Sequence, residues 1–164
     1  MLHAFWANRP FSRTLAKAVS YSGTGNLGTT PTSAATSIDI PGLSVQWVQG
    51  NYPVEVTLEG FITIVGVSQA AGLKVQIQPY IADLTDVANH AVLSAGGPKH
   101  TFVDTTSGQH KYEYFKATYI VNAAAGTVQA YEGRVFAPSA AATWNCQVIG
   151  LANQPCVLTA REVA

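Results

Sequence analysis

From Ile38 onward, apolar residues recur at every second position, and this period is what most limits the folds open to the chain. A half-buried helix needs a period near 3.6, whereas a period of two places successive side chains on opposite faces of a strand. Leu43, Val45 and Trp47 share a face after Pro41-Gly42. Val54, Val56 and Leu58 alternate with Glu55, Thr57 and Glu59. Leu73, Val75, Ile77 and Ile81 alternate with Lys74, Gln76, Gln78 and Tyr80. Eight or more short strands punctuated by Gly and Pro, with no convincing helix among them, predict an all-β antiparallel β-sandwich of jelly-roll type, preceded by an extended N-terminal arm. An immunoglobulin-like sandwich ranks second, because no Cys…Trp…Cys spacing fits it.

The punctuation predicts where strands bend or end. Both faces turn apolar after Gly60, which marks it as a candidate bulge. Pro79 cannot donate to a ladder and is expected at a sheet edge. Residues 85–103 read as a strand, a Gly-Gly-Pro turn and another strand. Tyr112 and Tyr114 lie on one face of YEYFKATYIV, with Phe115, Ala117, Tyr119 and Val121 on the other, and a second bulge is expected between them. NAAAG at 122–126 reads as a turn. A hairpin around Leu151 would set Cys146 opposite Cys156, Trp144 opposite Leu158 and Ala142 opposite Ala160. A disulfide is geometrically feasible there, although two reduced, buried thiols are the expectation for a cytoplasmic product.

Three parts follow: an arm over 1–19, a linker over 20–37 and a sandwich over 38–164. Leu2, Phe5, Trp6, Arg9, Phe11 and Arg13 give the arm the apolar-anchor and cationic composition of a partner-binding segment. Phe11, Leu15 and Val19 fall at i, i+4 and i+8, so 11–19 is expected as a short amphipathic helix. Twelve of the eighteen residues in 20–37 are Ser, Thr or Gly, the signature of a flexible spacer. Removing 1–36 is therefore expected to abolish attachment and leave the sandwich folded.

Charged residues make up only 11% of the 164-residue chain, where soluble domains carry about 25%. Interface cores are depleted of charge, so much of this surface is expected to lie against other chains. Arg9, Arg13 and Lys17 give the first 38 residues a charge of +3, balanced by −3 beyond them. With no basic stripe in the body, no nucleic-acid partner is expected. No run resembles a secretory signal or a transmembrane helix, so no membrane partner is expected either.

Motifs for chemistry are missing where chemistry would need them. GTGNLG at 23–28 matches a dinucleotide fingerprint, but TTPTSAATS follows where a helix must begin. Glu55 and Glu59 lie about 13 Å apart along a strand, too far for a glycosidase pair. His90, His100 and His110 read as surface or loop residues. The chain is expected to be no enzyme and to hold no cofactor or metal. Tyr112, Tyr114, Tyr119, Tyr131 and Trp144 are candidates for a sugar-binding platform, against ordinary core packing.

IDIPGLSVQW, PVEVTLEGFITI, GTVQAYEGRVFA and the closing CVLTAREV together resemble the small β-sandwich accessory proteins of tailed phages of actinobacteria, of minor tail or head-decoration type. The match covers roughly residues 36–164, and the chain departs from the pattern in its long stretch 137–155. The resemblance implies a jelly-roll-like domain without enzymatic activity, frequent trimerisation and a place on the outside of the virion after synthesis in the host cytoplasm. The implied partner is a phage major capsid or tail protein, with residues 1–19 docked in its groove. A tail appendage that binds a receptor or a host-surface glycan is the alternative.

Overall fold

The computed structural model describes residues 12–20, 25–29, 37–65, 74–85, 93–96, 99–103, 112–139, 145–149 and 155–163. Among these, every regular element is a strand: β1 (Ser12–Ser20), β2 (Gly25–Thr29), β3 (Ile38–Val48), β4 (Val54–Val65), β5 (Lys74–Asp83), β6 (Leu93–Gly96), β7 (His100–Val103), β8 (Glu113–Val121), β9 (Val128–Ser139), β10 (Asn145–Ile149) and β11 (Cys156–Val163). One sheet has the order β1-β11-β4-β10-β2 with β8 also on β4; the other has β3-β9-β5-β6 with β7 also on β5. All pairs are antiparallel.

Register reduces the eleven strands to eight ribbons. β10 covers Phe61–Val65 and β11 covers Val54–Glu59 on the same flank of β4, end to end. β1 and β2 follow them, β1 on β11 and β2 on β10. β7 and β6 likewise lie in tandem along β5. Numbered along the chain, the ribbons stand in the orders 1-8-3-6 and 2-7-4-5. Two four-ribbon antiparallel sheets interleaved in this way make a jelly-roll β-sandwich.

Alternation drives the packing. The residues 54–60 are buried at every even position, and Leu43, Val45 and Trp47 are buried with exposed neighbours between them. Val54, Val56, Leu58 and Ile62 from β4 meet Ile77 and Ile81 from β5, Phe115 from β8, Val135 from β9 and Leu158 from β11 in one core. Each fully buried Val, Leu, Ile or Phe contributes about 1.5–3 kcal/mol. Trp47 and Tyr131 stack at 5.4 Å, and Tyr119 reaches the same ring at 6.0 Å.

Several expectations drawn from the sequence are corrected. Residues 12–20 form a strand, not a helix: β1 pairs with β11 from Ser12↔Val163 to Ser20↔Cys156, and Ala16 and Ala18 pack on the core. A two-turn helix has little stability of its own, and the open ladder of β11 offers backbone hydrogen bonds and burial together. The predicted spacer contains β2, which pairs with β10; residues 21–24 and 30–36 lie outside the described residues. Pro41-Gly42 is a register shift within β3 rather than a turn, and Gly42 there adopts φ +78°, a conformation costly for other residues.

Gly60 is not a bulge. β4 pairs with β8 without a register shift from Val54 to Ile62. Gly60 is needed because Cys156 crosses directly over it: a Cβ there would overlap the Cys156 sulfur and stand 3.2 Å from the Cys156 Cα. The same continuous register removes the bulge expected near Tyr114. Pro79 lies in an interior strand, paired with Val135. It is tolerated because β7 pairs Lys74–Ile77 and β6 pairs Tyr80–Ala82, so neither meets Pro79 on the other flank. β6 and β7, on either side of the Gly-Gly-Pro sequence, therefore run in one direction along β5, where two strands joined by a turn were expected.

The C-terminal hairpin is corrected in the same way. β10 and β11 run in one direction along β4, with Cys146 opposite Ile64 and Cys156 beside Gly60. Four residues of strand, about 13 Å, separate these levels, so no disulfide joins the two cysteines. Cys156 is a buried thiol, and burial pushes its pKa up to about 11, against a smaller lowering by a backbone hydrogen bond at Phe61. In a Cys146→Ser variant, a thiol reagent at pH 8 is expected to modify Cys156 only after unfolding; fast labelling of the native protein would contradict this burial. The raised pKa also fixes a sign. This contribution to stability is complete below the thiol's ordinary value of 9.0 and is lost as pH rises toward 11.

Candidate interaction surface

Of the six predicted arm residues, Leu2, Phe5, Trp6, Arg9 and Phe11 lie outside the described residues. Arg13 lies in β1, and its guanidinium meets the Glu162 carboxylate at 3.0 Å. The Glu162 side chain is only 5% exposed, whereas that of Arg13 is 61% exposed. Arg13 thus serves the fold by compensating a buried charge at the start of the first ribbon.

The aromatic platform divides between core and surface. Tyr119 and Tyr131 point inward; the Tyr131 hydroxyl donates to Asp83 Oδ2 at 3.2 Å, and burial followed by that carboxylate raises its pKa. Trp144 lies outside the described residues. Tyr114 is 52% exposed on the outer side of β8, and Tyr112, immediately before the strand, is 58% exposed. Sequence alternation separates these two groups, since Tyr119 has the parity of Phe115 and Tyr114 does not.

The two sheets differ on their outer faces. On the β5–β9 sheet, Tyr80, Ala82 and Phe136 form a second buried cluster, with the Tyr80 and Phe136 rings edge to face at 5.6 Å. Beside it the Arg134 guanidinium pairs with Glu132 and Asp39 and donates to Ser37 Oγ at 3.3 Å, and Ser37 also bonds the Tyr80 hydroxyl. Sequence reasoning missed this cluster, because Tyr80 falls in the same phase as Lys74, Gln76 and Gln78.

Among the described residues the outer face of the β4 sheet is uncovered, and it is laid out in rows across the strands. One row is Lys116–Glu59–Val157–Val19, the next Thr118–Thr57–Thr159–Lys17, the next Ile120–Glu55–Arg161–Thr14. Each acid therefore has a base directly across from it, as favourable cross-strand pairing requires. Tyr114 stands opposite Phe61, their rings edge to face at 5.7 Å, and its hydroxyl donates to Glu59 Oε2 at 3.1 Å. Partial burial, then this hydrogen bond and charge, raise the Tyr114 pKa. Glu55 and Glu59 share the face but are not brought together, in agreement with their spacing.

His100 is buried rather than at the surface, in contrast to its sequence reading. Its Nδ1 lies 2.9 Å from Glu113 Oε2, joining edge strand β7 of one sheet to edge strand β8 of the other, while its buried Nε2 has no hydrogen-bond partner among the described residues. His90 and His110 lie outside the described residues. Among the described residues no group of three or more His, Cys, Asp or Glu is placed to hold a metal ion. In the GTGNLG segment, Gly25–Thr29 is strand β2 and not the start of a helix.

No family model matches the chain, and no curated protein matches it. Among solved structures it is similar to one described as the 2.6 Å structure of Infectious Bursal Virus derived T=1 particles, at 14% identity and a TM-score of 0.18 over 96% of this chain. The chain spans 37% of the length of that structure's chain, and a likeness this slight carries no argument.

Proposed function

We propose that the chain is a non-enzymatic structural component of a virus particle, a head-decoration or minor capsid protein of a tailed phage. In this reading it is made in the host cytoplasm and assembles as a homotrimer on the outside of the shell. Fold alone does not specify function. The observation that carries the reading is a jelly-roll sandwich built from a chain with only 11% charged residues, a composition suited to a surface covered by other chains. The apolar residues Leu2, Phe5, Trp6 and Phe11, with Arg9 among them, then bind a groove of the major capsid protein. Arg13 of the predicted arm lies in β1 and pairs with Glu162, so in this reading the anchoring falls to the residues before Ser12. The test is quantitative mass spectrometry of purified particles from the source. The protein is expected at a fixed copy number relative to the major capsid protein. Its presence only in the lysate, and never in washed particles, would overturn the reading. The exposed Tyr112 and Tyr114 favour a second reading, a tail appendage that binds a surface glycan.

A further inference from the structure

We propose that the outer face of β8 and β4 around Tyr112 and Tyr114 is a binding site for neutral polysaccharide. The inference deepens the second reading above by naming the site and the ligand class, and it depends only on this face and not on where the sandwich is mounted.

Sugar recognition needs two things together: flat aromatic surface for the C–H faces of the rings, and hydrogen-bonding groups at its margin for the hydroxyls. Both are present. Tyr112 and Tyr114 are two residues apart and more than half exposed. Tyr112 immediately precedes β8, so two extended residues, at most about 7 Å, separate the two Cα atoms, a spacing that lets two rings contact one oligosaccharide. Tyr114 is held in place from both ends, by the edge of Phe61 and by the bond from its hydroxyl to Glu59. Its ring is thus positioned before any ligand arrives, which lowers the ordering cost of binding. Lys116 lies directly across from Glu59, and Thr118 and Thr57 form the next row. A carboxylate and an ammonium group therefore border Tyr114, and the two hydroxyls lie one row farther along the same face.

Charge decides the ligand class. Glu59 faces Lys116 and Glu55 faces Arg161, so each acid of these rows is neutralised in register, and Lys17 at the β1 edge is a single further base. A field of one sign, which would attract an acidic or basic macromolecule, is missing from these rows. A neutral polymer rich in hydroxyl groups suits such a surface.

The experiment uses the full chain with soluble neutral glucan, mannan, galactan and arabinan, and hyaluronan as the acidic control, read by titration calorimetry. Binding to at least one neutral polymer is expected. Tyr114→Ala and Tyr112→Ala are each expected to weaken it roughly tenfold, the scale of one aromatic contact. Tyr114→Trp keeps a ring and is expected to retain binding, as is Val128→Ser at an exposed apolar position of β9 outside these rows. Tyr112→Ala is expected to leave the melting temperature unchanged, and Tyr114→Ala, which gives up the Phe61 edge and the Glu59 bond, to lower it by only a few degrees, so that both variants stay folded. No binding to any neutral polymer, binding only to hyaluronan, or binding that survives both alanine variants would overturn the proposal. It would also be overturned if the alanine variants changed the oligomeric mass instead, since the face would then be a contact between copies.

Discussion

A chain that begins at residue 37 is expected not to fold, whereas one that begins at Ser12 is expected to melt cooperatively. The reason lies in β1. It supplies a ladder of eight register pairs to β11, from Ser12↔Val163 to Ser20↔Cys156. A net contribution near 1 kcal/mol per hydrogen bond makes this ladder worth several kcal/mol. Its Ala16 and Ala18 close the core beside Leu158 and Ala160, and it packs against β3 of the opposite sheet. Arg13 leaves with it, stranding the buried Glu162 carboxylate, which adds further cost even after allowance for the exposure of Arg13. These losses together approach the whole stability of a domain this size, about 5–15 kcal/mol. Circular dichroism and thermal unfolding of the two truncations measure the difference directly. Cooperative melting of residues 37–164 within a few degrees of the full chain would show that β1 is dispensable.

Gly60→Ala is expected to be the most damaging single-methyl change in the sandwich. The added Cβ would overlap Cys156 Sγ, which a side-chain rotation could relieve, but it would also stand 3.2 Å from Cys156 Cα and Cβ. Backbone has no such freedom, and β11 is fixed on both flanks by β1 and β4. Overpacking in such a site costs about 3 kcal/mol, the upper end of the usual range. For a chain of this length that corresponds to a fall in Tm of about 6–12 °C. Cys156→Gly removes both side-chain atoms from the clash, so the double variant is expected to lose less than the sum of the single losses. A Gly60→Ala protein melting within about 2 °C of the parent would mean that β11 does not cross there as described.

The inner and outer faces of the strands were legible in the sequence because burial imposes a strict period of two. Leu43, Val45, Trp47, Val54, Val56 and Leu58 all point where their alternation placed them. What the sequence misrepresented was the meaning of its interruptions. Gly97-Pro98 and the segment 150–155 carry the composition of chain reversals, yet the strands on either side run in the same direction along one neighbour. Local composition reports that a ladder stops; it does not report which way the chain continues. β1 was missed for a different reason. SRTLAKAVS has helical spacing at Leu15 and Val19, and only the neighbouring edge of β11 makes it a strand. Tyr80 shows the remaining limit. Its phase put it outside with the glutamines, and it is fully buried there in a second cluster, because period tells which face a residue is on and not what covers that face. The same reasoning separated the tyrosines correctly once register was known, leaving Tyr112 and Tyr114 outside and Tyr119 and Tyr131 within.

The central claim is that a folded jelly roll is mounted on a virus particle by the segment that precedes β1. The most direct measurement is re-addition: particles lacking the protein are mixed with the full chain or with residues 12–164, sedimented, and assayed for bound chain. The account predicts that the full chain saturates the particles at a fixed ratio to capsid protein and that residues 12–164, folded and monodisperse, stay in the supernatant. Equal binding of the two would place the attachment on the sandwich itself and contradict the anchoring role of Leu2, Phe5, Trp6 and Phe11.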